Sequence, residues 1–128
     1  MSGSAQKAAG LLLLVALLCS ATVEASDAGR RFFYERVLPR MIENGCPACH
    51  GVGYVRPQVT VYEDALPFLA IGDTPESSII LYKIANLRSI APELPTHVGG
   101  QRCVSLATEP CLTISQWWQV EFGKDARR

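Results

Sequence analysis

The feature that most constrains this chain is the run Cys46-Pro47-Ala48-Cys49-His50. Two thiols separated by two residues, with an imidazole next in line, meet the chemical requirement for tethering a c-type haem. Each thiol adds across one vinyl group of the porphyrin, and the adjacent histidine lies under the iron and supplies a nitrogen ligand. A chain that holds a large planar apolar group in this way has to fold around it. The motif therefore sets one side of an iron site and leaves the rest of the chain to form its container.

The segment ahead of the domain reads as an export signal. Lys7 is the only charge before the apolar run over residues 11–18, and Val23-Glu24-Ala25 offers small residues where a signal peptidase cuts. The run is short against the roughly 20 residues of a membrane span. Leu18 is bulky where a lipoprotein site before Cys19 needs a small side chain. The expected division is a signal peptide over 1–25 and one domain over 26–128, exported to the bacterial periplasm. The whole chain carries 12 basic and 12 acidic residues, and cleavage removes Lys7 and Glu24, one of each sign. This even balance, with no run of like charge, argues against nucleic acid as a partner and against a membrane-surface patch.

Cysteine usage fits the exported compartment. Of five cysteines, Cys19 falls in the leader, which leaves Cys46, Cys49, Cys103 and Cys111. If the first two carry thioethers, Cys103 and Cys111 remain as a disulfide pair, worth about 2–3 kcal/mol in the chain-entropy description. Two free thiols or a metal site are the alternatives.

The patterning along the domain is helical. Residues 27–43 predict a helix: Phe33, Val37 and Met41 recur at i, i+4 and i+8, widened by Phe32 and Leu38, with arginines mostly opposite. Pro39 should kink or restart that helix, and Asn44-Gly45 should end it directly before the motif. Residues 51–57 read as loop, and 58–62 as extended loop despite a β-type composition. Residues 63–70 read as a short helix weakened by Pro67. Asp73-Thr74-Pro75-Glu76 predicts a helix start that runs on to Asn86 or Leu87, with Ile79, Ile80, Ile84 and Leu87 as its apolar stripe. Residues 88–102 are irregular, with His97 at their centre. Thr113-x-x-Gln116 fits a capping box for a last helix over 114–122, stopped by Gly123 and rich in aromatic side chains, with Trp118 and Phe122 on one face.

The second axial ligand is the open question. Of two methionines, Met1 leaves with the leader and Met41 sits on the apolar stripe of the first helix, so it reads as a core residue. His97, the only histidine besides His50, lies in a loop where Gly99 and Gly100 let the backbone run close to a porphyrin. His50 and His97 are thus the expected iron ligands, with an open distal site as the alternative. Two imidazoles favour ferric iron and lower the potential relative to a histidine–methionine pair. Two rival uses of the same residues are a thioredoxin-like Cys46-x-x-Cys49 pair, which wants a βαβ setting, and structural zinc, with His97 or Cys103 completing the set. Arg56 and Arg102 are candidates to pair with haem propionates.

The motif, the helix before it and the aromatic helix at the end together resemble the class I cytochrome c superfamily. The resemblance implies an all-α, cytochrome c-like fold of about three to five helices around one covalent haem c, its first and last helices crossing. The crossing contacts would be Phe33, Val37, Trp118 and Phe122. Residues 75–82 resemble the helix start after the haem wrap in small bacterial cytochrome domains. The chain departs from the family in having Thr96-His97-Val98-Gly99-Gly100 in place of a methionine loop, an added Cys103/Cys111 pair and a short last helix.

The resemblance implies one-electron transfer between a redox protein donor and acceptor, so an electron carrier more than an enzyme. Two other readings share the residues: a haem enzyme or gas-binding sensor with an open distal site, and a non-catalytic haem subunit of a larger, membrane-associated redox complex.

Overall fold

The computed structural model describes residues 25–51, 53, 57–87 and 97–124. Residues 1–24 of the expected signal peptide, Arg56 and residues 88–96 of the irregular stretch lie outside them. Every regular element among the described residues is helical, so the fold is all-α. No helix among them is long and apolar enough to cross a membrane.

The chain opens with a continuous rod made of α1 (Asp27–Phe32), a π-helical segment π1 (Phe33–Val37) and α2 (Leu38–Glu43). Ser26 starts it, its side chain accepting a hydrogen bond from the Gly29 amide at 2.8 Å. The expected disruption at Pro39 takes the form of the π turn just ahead of it, closed by the Leu38 amide donating to the Phe33 carbonyl. Proline then occupies the first turn of α2, where its missing N–H is best tolerated. The π turn also straightens the buried face. Residues four apart drift by about 40° per step around an ordinary α-helix, and a wider turn winds that drift back. Gly29, Phe33, Val37 and Met41 are accordingly all buried along one line.

The rod ends where the sequence predicts. Asn44 and Gly45 turn back on Arg40 and Ile42, Gly45 at φ +71, and the Cys46 amide donates to the Met41 carbonyl at 3.0 Å. The helical turn α3 (Pro47–His50) follows at once. Two connecting helices, α4 (Tyr62–Leu69) and α5 (Ile79–Ala85), and the terminal helix α6 (Cys111–Phe122) complete the fold. Among these elements α1 and π1 pack against α6, and α5 packs against both α4 and α6.

Three expectations need correction. The helix foreseen from Thr74 begins five residues later, at Ile79. Thr74 and Ser77 do exchange side-chain and backbone hydrogen bonds, but they close one isolated turn. Ser78 then leaves helical geometry at ψ 127. Its burial also falls on Ile80, Leu81, Tyr82 and Ala85, with Ile79, Ile84 and Leu87 only half-buried. Asn86 ends α5 in the left-handed conformation at φ +59, close to the predicted stop.

The last helix is not short, and it does not start at Thr113. It spans 12 residues from Cys111. Glu109 caps it, taking hydrogen bonds from the Thr113 amide at 3.2 Å and hydroxyl at 2.9 Å. A carboxylate ahead of the helix outcompetes Gln116 as the acceptor for the free first-turn donors.

The crossing contact is Trp117 in place of Trp118. Trp117 is fully buried and its ring lies 4.9 Å from Phe33. Tyr62 completes the aromatic group at 5.7 Å from Phe33 and 5.8 Å from Trp117. Trp118 instead pairs edge-on with Phe122 at 5.6 Å.

Candidate functional site

The motif sits on one turn of helix. The Cys49 and His50 amides both donate to the Cys46 carbonyl, at 3.2 and 3.0 Å. Residues three and four apart on a helix share a face, so Cys46, Cys49 and His50 are presented together. Both motif thiols are free, Cys49 exposed and Cys46 half-buried. Burial pushes the Cys46 thiol up from its ordinary pKa, and the Arg102 guanidinium pulls it partly back. That direction is the reverse of what an activated thiolate needs.

His50 is oriented by its own loop. Its Nδ1 lies 2.8 Å from the Pro57 carbonyl, and the Val59 amide returns a bond to the His50 carbonyl at 3.1 Å. A carbonyl only accepts, so Nδ1 carries the proton and Nε2 of the neutral ring keeps its lone pair.

His97 repeats the device from another part of the chain. Its Nδ1 lies 2.7 Å from the Gly100 carbonyl, so Nδ1–H donates there as it does in His50. The Gly100 amide donates back to the His97 carbonyl at 2.9 Å, closing a tight turn with Gly100 at φ +82. A Cβ on Gly99 would approach His97 Cε1 at 2.9 Å, so glycine there leaves space for the ring.

The structure brings the two histidines together. Their ring centroids stand 6.0 Å apart and their planes are 13° from parallel. Both are half-buried. The two imidazoles are near-parallel, and each has its Nδ1 tied back to a backbone carbonyl.

Cys103 and Cys111 stand at disulfide distance, their Cα atoms 6.0 Å apart, and both side chains are buried. This removes Cys103 from the zinc set considered above. No group of three or more metal-ligating side chains occurs among the described residues. Met41 lies in the core at 2% exposure, as its place on the apolar stripe implied.

Sequence reasoning missed the carbonyl partners of the two histidines. Pro57 marks a loop, yet no side-chain pattern identifies a backbone acceptor. It also missed Glu121. This half-buried carboxylate accepts hydrogen bonds from the Ser26 hydroxyl at 2.7 Å, the Tyr62 phenol at 2.5 Å and the Trp117 indole at 3.1 Å. Burial and Glu121 together raise the Tyr62 pKa. A cleft between the 72–76 turn and Trp118 and Phe122 of α6 contains none of the motif or histidine residues.

No protein-family model, curated protein or solved structure matches this chain.

Proposed function

We propose that the chain is a monohaem c-type cytochrome that carries single electrons between partner redox proteins in the bacterial periplasm. The observation that carries this reading is the pairing of His50 with His97 across 6.0 Å. A metal in line between two imidazole nitrogens, with bonds of about 2.0–2.1 Å, sets the ring centroids about 6.4 Å apart. The observed spacing is close to that, and the tautomers leave the correct nitrogens available.

The residues fit a haem in named roles. Cys46 and Cys49 would hold the porphyrin as thioethers, and His50 and His97 would supply nitrogen ligands to the iron. When bound, the haem supplies a one-electron ferric–ferrous couple. The Pro57 and Gly100 carbonyls orient the two rings and, by accepting their Nδ1 protons, make them better donors. Ligation by two imidazoles gives a potential below that of histidine–methionine cytochromes.

The site also bears on the rivals. With both histidines engaged as a pair, neither is left to move protons beside the iron, which weighs against a haem enzyme. The helical setting of the motif weighs against a thioredoxin-like pair. The packing of α1 and π1 on α6 supports the cytochrome c-like arrangement of first and last helices. Arg102 lies within electrostatic reach of Cys46, which is the thioether edge. Vinyl and propionate groups project from opposite edges of the porphyrin, so this position does not favour the propionate pairing considered for Arg102.

The test is the pyridine haemochrome and intact mass of the exported protein, followed by absorption and EPR spectra of the protein and its His97→Ala variant. The expected result is one covalent haem, a low-spin spectrum of two imidazoles, and a high-spin spectrum in the variant. A mass without haem sinks the reading. An unchanged spectrum in His97→Ala removes that residue, and a sulfur-to-iron charge-transfer band would point to Met41.

A further inference from the structure

We infer, resting on the haem reading above, that the Cys103–Cys111 bridge is the device that keeps His97 opposite His50, and that opening it frees the sixth iron position for a small exogenous ligand. The inference comes from how the His97 segment is attached. Val98, Gly99, Gly100, Gln101 and Arg102 are all exposed, and Val98 is fully so. None of them gains a foothold in the core.

The first buried residue after His97 is Cys103, at 5% exposure, and it is bonded to Cys111, which is fully buried at the start of α6. The covalent link therefore ties the histidine segment to the helix that packs on α1 and π1. Two hydrogen bonds guide the segment between these points. The Arg102 amide donates to the Ile84 carbonyl at 2.7 Å, and the Gln101 side-chain amide donates to the Ala85 carbonyl at 3.0 Å. Both acceptors sit in the last turn of α5, where carbonyls lack helical partners.

These bonds join exposed residues to a helix end, the Gln101 bond being partly buried, and the sparse side-chain packing around them marks a segment of low local stability. The covalent bridge does not open with them. While it is closed, the segment can depart only briefly from its place, and His97 returns to the iron before a competitor takes the site. Both side chains are buried, so the bridge stays closed unless a strong reductant is supplied. Cys103 and Cys111 thus govern coordination without touching the iron. Exchange at the iron replaces the His97 nitrogen by another two-electron donor and leaves the iron's oxidation state unchanged.

The experiment uses the full exported chain and its Cys103→Ala/Cys111→Ala variant. Hydrogen exchange of the Arg102 amide is compared with that of Trp117 in α6. The haem-loaded ferrous protein is separately mixed with carbon monoxide. Removing the bridge should speed Arg102 exchange about tenfold or more while Trp117 keeps its protection. Carbon monoxide binding should accelerate at least about tenfold, and the ferric spectrum should shift toward high spin.

Should the variant fail to protect Trp117, the bridge is opened instead in the folded protein with a phosphine. The phosphine takes an oxygen from water to become its oxide and leaves two thiols. The same two readouts then decide. Unchanged Arg102 exchange together with an unchanged low-spin, carbon monoxide-resistant iron overturns the inference. A chain that carries no haem overturns the functional reading alone, and the exchange measurement still decides whether the bridge positions the His97 segment.

Discussion

The crossing of the first and last helices and the edge that bears the two histidines are built to different standards. At the crossing, Phe33, Tyr62 and Trp117 are fully buried against one another, and Glu121 gathers a hydroxyl, a phenol and an indole onto one carboxylate. Every group there has several partners, and a buried polar network that is fully satisfied fixes a single arrangement. At the histidine edge, among the described residues, each ring bonds a backbone carbonyl and lies beside the other ring, and the residues from Val98 to Arg102 are exposed. The crossing sets the frame, and the motif turn is delivered from it directly through the Met41 carbonyl. His97 reaches the same place by a separate route, through a covalent link and two hydrogen bonds. Packing is concentrated in one region and the Cys-x-x-Cys-His motif in the other.

The sharpest way to break the comparison is Trp117→Ala. It empties the centre of the crossing and strips Glu121 of one donor, at a cost of about 3–5 kcal/mol. Against a total of about 5–15 kcal/mol, urea titration should show a midpoint lowered by about 1 M or more, or a chain that no longer folds. A wild-type midpoint would mean that the crossing does not carry the fold.

Gly29→Ala is the next step down. A Cβ at Gly29 overlaps the Glu121 carboxylate. The side chain must swing away from Tyr62 and Ser26, for about 1–3 kcal/mol of unsatisfied buried hydrogen-bonding capacity. Thermal melts should record the loss, while the proposed haem, where it is loaded, should keep its spectrum, because the histidine edge is anchored elsewhere. A matching change at the iron would show the two regions to be coupled.

The smallest effect is expected from alkali. Burial and Glu121 hold the Tyr62 pKa above its ordinary value. Folding is thereby supported in full below the unfolded tyrosine pKa of about 10, and the support is lost as pH rises past that point toward the higher folded value. Stability measured across this range should fall, and the fall should be smaller in Tyr62→Phe, which has no proton to lose. Equal slopes in the two proteins would remove Tyr62 from the pH response.

Much of this was legible before any coordinate. The all-α fold follows from 3.6-residue periodicity, and the ends of α2 and α5 from Asn-Gly and Asn signals whose backbone geometry then appears, Gly45 and Asn86 both at positive φ. Cys103 and Cys111 were left to each other by elimination. What stayed hidden depended on competition between groups or on backbone atoms. Glu109, four residues before Thr113, takes the cap that Gln116 was expected to provide, and the capping-box pattern does not rank the two. Trp117 and Trp118 are adjacent, so a small rotation of α6 decides which one meets Phe33, and the periodicity of a single short helix does not fix that angle. The carbonyls of Pro57 and Gly100 carry no side-chain signal at all.

The π turn in the first helix also constrains how this chain can change. A π turn amounts to a single residue inserted into an α-helix. Deleting one residue from Phe33–Val37 would restore ordinary winding and leave the two flanks in nearly the same phase, because a π turn and an α turn one residue shorter each close about one revolution. Winding the same residues as ordinary α-helix would instead rotate one flank by roughly 100° relative to the other, and Gly29 under Glu121 and Met41 leading into Cys46 could not both hold. The segment works as a phase adjuster between the helix crossing and the motif, and its winding matters as much as its length.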